Sequence, residues 1–144
     1  MIAVDTNILV YAHREDSPWH DVAYRGIADL AEGRDAWAIP WPCINEFLAI
    51  VTHPRIYAPP SPIAAALSQV QTWLESPTLL LISESEEYWK KLAPLLRSAR
   101  LAGPKIHDAR IAALCVDHGI AELWSADRDF SNFPALKIRN PLLR

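Results

Sequence analysis

A three-layer α/β sandwich with a mainly parallel central sheet is the fold class that the sequence predicts, and three observations predict it. The short all-apolar run Ile2-Ala3-Val4 stops abruptly at Asp5-Thr6-Asn7, as a strand covered on both faces does. Stretches of strand character alternate with stretches of helical period along the chain. A second short run, Glu122-Leu123-Trp124-Ser125, leads to Asp127 much as the first leads to Asp5. Ligands in open α/β sheets bind just beyond the carboxyl ends of the strands, so both aspartates belong at the rim of a site.

After the first strand and the apolar residues Ile8 to Ala12, Ser17-Pro18 pairs a capping residue with a proline at a first helical position. Trp19, Val22, Ala23, Ile27 and Leu30 then recur at helical spacing as far as a stop at Gly33. Ala36 to Ile39 reads as a second strand closed by Pro40, and a helix from about Pro42 to Thr52 carries Ile44, Phe47, Leu48 and Val51. Between Pro54 and Pro62 the prolines form a rigid loop, and Ser61-Pro62 starts a helix to about Glu75. Leu79 to Ile82 reads as a buried strand. Ser83 and Glu86 have capping-box spacing ahead of a helix whose face is Trp89, Leu92, Leu96 and Ala99 and which Pro94 kinks. A helix from about His107 to His118 stops at Gly119 and precedes the strand ending at Ser125. Phe130 and Phe133 suggest a short helical turn, and Leu136-Lys137-Ile138 a last edge strand. Strand connections should be right-handed.

At 144 residues the chain is expected to be one domain, 1–144, with a core that needs no staples. Cys43 and Cys115 lie in separate helical stretches without CxxC spacing, which suggests neither a disulfide framework nor a zinc site. No basic and apolar leader opens the chain, and no apolar run approaches the roughly 18 residues of a membrane span, so a cytoplasmic protein without membrane contact is expected. A net charge of −3 argues against coating nucleic acid through bulk positive charge. A nuclease survives that argument, because a bound cation supplies positive charge where phosphate must sit. Arg97, Arg100, Lys105 and Arg110 against the lone acid Asp108 also make a local basic face.

Other acids should reach the rim that holds Asp5 and Asp127. Glu46 lies early in its helix and Asp108 opens another, and helices that follow strands in such a fold begin at that edge. Each acid has a plainer reading. Asp108 serves equally as a favourable charge on the helix dipole, and Asp127 as a turn former or cap. Glu46 sits on a helix that is otherwise apolar from Ile44 to Val51 save for Asn45, where a buried carboxylate would need a cation, metal or arginine. Asp5 has the weakest structural excuse. If the carboxylates converge, their repulsion calls for a cation, and oxygen ligands favour Mg2+ or Mn2+. That chemistry is metal-assisted phosphodiester hydrolysis, in which the ion polarises phosphate and activates water.

Asp5-Thr6-Asn7-Ile8-Leu9-Val10-Tyr11, Asn45-Glu46-Phe47, His107-Asp108-Ala109-Arg110-Ile111-Ala112-Ala113 and Ser125-Ala126-Asp127-Arg128-Asp129-Phe130, in that order and spacing, resemble the PIN-domain ribonucleases and specifically the VapC-type toxins. Thr52-His53-Pro54-Arg55 and Arg139-Asn140-Pro141-Leu142 are similar to one subgroup of them. The resemblance implies a PIN-like fold and a Mg2+ or Mn2+ site formed by Asp5, Glu46, Asp108 and Asp127. Asn7 and Ser125 match polar supports of those carboxylates, and Asp129 matches an acid that supports the site or ligates in some members. It further implies cleavage of RNA, often tRNA or rRNA, inhibition by a cognate VapB-like antitoxin that buries the site, and a homodimer.

Arg110 and Arg128 suit RNA phosphate and suit structural ion pairs equally well. His13 and Arg14 are read as a solvated loop, and His53 as a cap or loop hydrogen bond with a metal or substrate role as the alternative. Trp89 and Trp124 fall on core positions by periodicity, and none of the 6 tryptophans is assigned to RNA. A phosphatase of the haloacid dehalogenase type would need an acid where Asn7 stands, and a receiver domain a late lysine that only Lys137 could supply. A non-catalytic metal- or RNA-binding module would not need all four acids.

Overall fold

The computed structural model describes residues 1–143. Its centre is a 5-stranded sheet in the order β3-β2-β1-β4-β5, formed by β1 (Ile2–Val4), β2 (Trp37–Pro40), β3 (Leu79–Ile82), β4 (Glu122–Trp124) and β5 (Lys137–Arg139). Every pairing is parallel, with Ala3 opposite both Ala38 and Leu123. The helices are α1 (Thr6–His13), α2 (His20–Glu32), α3 (Trp41–Val51), α4 (Ile63–Leu74), α5 (Tyr88–Ala99) and α6 (Ile106–Asp117). They fall into two packed groups, α1 to α4 and α5 with α6, as two helical layers around a sheet require. Chain order runs outward from β1 in one direction to β3, then resumes on the other side at β4. The crevice where the order reverses lies between the carboxyl ends of β1 and β4.

Ala3, Val4, Trp37, Ala38, Ile39 and Leu123 have no exposed surface, which is why these strands are short and apolar rather than alternating. β3 departs from the buried strand expected there. It is an edge strand, and Leu80 faces outward and is exposed. The expected last edge strand is present as β5, and Gly119, at φ 67°, takes the left-handed conformation that ends α6.

The largest addition to the sequence reading is α1, which begins at Thr6 with Asp5 as the single residue between it and the end of β1 at Val4. Ile8, Leu9, Val10 and Ala12 are all buried, so this helix shows no polar face by which its period could be read. α2 begins at His20, later than Ser17-Pro18 suggests, because Ser17 Oγ accepts the Trp19 amide in a turn ahead of the helix. Trp19 and Val22 are accordingly exposed while Ala23 and Ile27 enter the core. The Ser83 and Glu86 capping box does not form. The hydroxyl of Ser85 accepts the Glu87 amide instead, and the inward face of α5 starts at Tyr88 and continues through Leu92, Leu95 and Leu96. That one-residue rotation leaves Trp89 68% exposed, against the core position assigned to it, whereas Trp124 is buried as expected.

Candidate metal-binding cleft

A cleft of about 530 Å3 opens beyond the carboxyl ends of β1, β2 and β4, and Asp5, Glu46, Asp108 and Asp127 all line it. The four acids predicted from distant stretches therefore share one site. Asp5 follows β1 directly and its amide donates to the Trp124 carbonyl at 2.9 Å, which ties the ends of β1 and β4 together. Asp127 caps the short 3-10 helix Arg128–Asn132, accepting the Asp129 amide at 2.8 Å. Asp108 lies in the first turn of α6 and Glu46 in the middle of α3.

Ser125 organises the cleft floor. Its hydroxyl donates to Asp5 Oδ2 at 2.8 Å and accepts from the Asp127 amide at 3.0 Å and from Asn7 Nδ2 at 3.4 Å. A hydroxyl has one proton and two lone pairs, so this one is fully used. Asn7 closes the loop by accepting the Ala126 amide at 3.2 Å. Asn7 and Ser125 thus hold Asp5 and Asp127 in fixed relation.

Asp5 is 7% exposed, and burial pushes its carboxyl from 3.8 up to about 6, against the downward pull of the Ser125 hydroxyl. The Cys43 thiol donates to its other oxygen at 3.6 Å. Sequence reasoning weighed Cys43 only for disulfides and zinc, and missed this contact. No motif would have revealed it, because only the crossing of α3 behind Asp5 brings them together. With the folded value above the unfolded one, the metal-free fold takes up a proton here between about pH 4 and pH 6 and loses stability as pH rises through that window. Asp5→Asn removes the penalty, so in EDTA near pH 7 it should melt above wild type, with a gap of order 1 to 3 kcal/mol that closes toward pH 4. Thermal melts across that range check it, and a gap independent of pH would contradict it.

Asp108, Asp127 and Asp129 each place a carboxylate oxygen within 4.8 Å of the others. Burial raises the Asp108 carboxyl first, and the charges of Asp127, Asp129 and Glu46 raise it further. Asp129 is therefore more central than the supporting place given to it. Asp5 and Glu46 line the same cleft without joining that tightest group. Glu46 is also exposed and accepts from Thr6 Oγ1 at 3.2 Å, so burial is not what would demand a cation there. An all-oxygen group of mutually repelling carboxylates fits a hard divalent ion such as Mg2+ or Mn2+.

The other candidates separate cleanly. Arg110 is ion-paired with Glu84 at 2.6 Å while still lining the cleft, and exposed Arg128 has no ion pair among the described residues. His53 is exposed and accepts the Arg55 amide, as a loop hydrogen bond should. His13 and Arg14 are not a solvated loop. His13 is held between Gln69 and Ser61, and Arg14 pairs with Asp16 and lies over the Tyr57 ring. Trp41, at the start of α3, lines the cleft, a position that sequence reasoning missed because it falls between Pro40 and Pro42, outside both the strand and the helix expected there.

Comparison with known proteins finds similarity along nearly the whole chain. The PIN domain model matches residues 2–136. The ribonuclease VapC48 of Mycobacterium tuberculosis is 30% identical over 137 residues, 95% of this chain and 94% of that protein. The ribonuclease VapC43 of the same species is 33% identical over 143 residues, 99% of this chain and 96% of that protein. Among solved structures, VapC20 of M. tuberculosis, described as a sarcin-ricin loop cleaving toxin, superposes with a TM-score of 0.66 at 17% identity over 91% of this chain and 93% of its own. The VapBC2 complex of Rickettsia felis, bound to a DNA fragment of its promoter, gives 0.66 at 22% identity over 96% of this chain and 98% of that one.

Proposed function

This chain belongs to the PIN-domain family, and we propose that it is a VapC-type toxin, an endoribonuclease that uses Mg2+ or Mn2+ and is held inactive by a VapB-like antitoxin. The observation that carries the reading is the cleft lined by Asp5, Glu46, Asp108 and Asp127, with the Asp129 carboxylate grouped beside Asp108 and Asp127. The near-full-length relatives named as ribonucleases support RNA as the substrate, and the toxin-antitoxin complexes among the solved structures support the partner.

On this reading Asp108, Asp127 and Asp129, grouped within 4.8 Å of one another, would hold the ion, with Asp5 and Glu46 completing the acidic wall. When bound, such an ion supplies the Lewis acidity that lets water attack a phosphodiester. The chain's own residues prepare the rest. Ser125 and Asn7 hold Asp5 and the Asp127 backbone in place, so the carboxylates need not reorganise when substrate arrives. Thr6 steadies Glu46 from the first turn of α1. Exposed Arg128, next in sequence to Asp127 and without an ion pair among the described residues, supports a contact to RNA phosphate, while Arg110 must first leave Glu84. A shallow apolar groove between α2 and α4, lined by Tyr24, Ile27, Ala28 and Trp73, together with exposed Ile63 and Leu67 on α4, supports a protein partner, antitoxin or second copy.

The test is incubation of the purified chain, freed of antitoxin, with total RNA and with separate tRNAs in Mg2+ or Mn2+. Discrete fragments that vanish in EDTA are the predicted result, and intact RNA in every metal condition would contradict it. Ser125→Ala should lower Mn2+ affinity about 10- to 100-fold by releasing the ligands it orients. Calorimetric titration of Mn2+ reads this directly, and wild-type affinity would remove Ser125 from the site.

A further inference from the structure

The cleft has two kinds of wall. Beside the carboxylates, Trp41, Pro42, Ile50, Ile111 and Phe130 line the same space with apolar side chains. Phe130 and Ile111 are buried, but Trp41 is 43% exposed. Four of the other five tryptophans have structural partners, and the fifth, Trp89, is exposed on α5 and does not line the cleft. Trp37 and Trp124 donate their indole N–H groups to Ser76 and Glu122, and Trp73 and Trp19 pack on the rings of Phe47 and Tyr11. Trp41 has neither kind of partner among the described residues. Its backbone is well fixed, since Pro40 ends β2 and caps α3 and Pro42 lies in the helix's first turn. The indole is thus held at the carboxyl edge of β2, on the rim where β1 and β4 deliver Asp5 and Asp127.

We propose that Trp41 is the stacking platform for a nucleobase of an RNA strand lying across the acidic cleft. This rests on the ribonuclease reading and adds a binding determinant to it. A carboxylate cleft with bound cations holds the phosphates of a strand but gives its bases nothing apolar to rest on. An exposed aromatic face does, and base stacking is sequence-tolerant because every base has a π-face. A strand engaged at both walls must have at least one unpaired base, so single-stranded RNA or a loop is the form that fits.

The experiment measures anisotropy of fluorescein-labelled rU and rA octamers against wild type, Trp41→Phe, Trp41→Leu and Trp41→Ala, with Ca2+ replacing Mg2+ to suppress turnover. Wild type should bind, Trp41→Phe should stay within about threefold, and Trp41→Leu and Trp41→Ala should weaken about 5- to 100-fold. Mn2+ affinity and melting temperature should be unchanged in all four, which separates stacking from a damaged cleft. Equal binding by wild type and Trp41→Leu overturns the proposal, and would leave the indole to a partner protein. Failure of wild type to bind either octamer also overturns it. The ribonuclease reading is judged separately, by whether the same wild-type preparation cuts total RNA.

Discussion

If the proposed metal-dependent cleavage holds, Asp108→Asn and Asp127→Asn should each lower RNA cleavage in Mg2+ by more than about a hundredfold, because each would remove a charged ligand of an ion that contributes several kcal/mol at the reacting phosphate. Neither should harm the fold. The Asp108 carboxyl is already raised by burial and by Asp127, Asp129 and Glu46, so neutralising one member of the group relieves repulsion in the metal-free protein. At position 127 an asparagine oxygen can still accept the Asp129 amide and keep the 3-10 helix capped. The predicted signature is lost activity with a melting temperature in EDTA at or above wild type. Asp129→Asn is the graded comparison. Its carboxylate is more exposed, and its loss should be smaller. Single-turnover rates on one RNA, measured with melts of the same preparations, check all three, and a wild-type rate from Asp127→Asn would contradict the site.

Phe47→Ala should destabilise the protein by about 3 to 5 kcal/mol, the usual range for deleting a fully buried aromatic ring. Phe47 has no exposed surface and packs edge-on against His13 and Trp73, with ring centroids 5.3 Å and 4.9 Å away. It is the point where α1, α3 and α4 meet, so the cavity cannot be filled by moving a single helix. Because domains are stable by only about 5 to 15 kcal/mol, much of the fold's margin goes with it. Glu46 precedes Phe47 on α3, and activity should therefore fall even below the new melting temperature. Urea unfolding reads the first effect, and a change under about 1 kcal/mol would contradict the packing described.

Three acids of the cleft were legible because each stands at an end that the fold must place at one rim. Asp5 and Asp127 follow short apolar strands, and Asp108 opens a helix whose stop at Gly119 is equally visible. For Glu46 the burial argument fails, since it is exposed, but its place in a helix that follows a strand does bring it to the cleft. Asp129 gained weight because the cap made by Asp127 turns the chain back toward Asp108, a geometry that spacing alone does not encode. What the sequence concealed falls into two kinds. α1 and Trp89 were matters of phase, a helix buried on most sides and a helix rotated by one residue. Cys43, His13 and Trp41 depend on contacts between elements distant in sequence, and no local pattern announces these.

The most direct test of the metal-dependent cleft is anomalous scattering from crystals of the free protein soaked in Mn2+. A peak within coordinating distance of both Asp108 and Asp127, and lost in crystals of Asp108→Asn, is the result predicted. A well-occupied peak elsewhere, or none at Mn2+ concentrations that support RNA cleavage, would contradict the assignment of these carboxylates as the metal site.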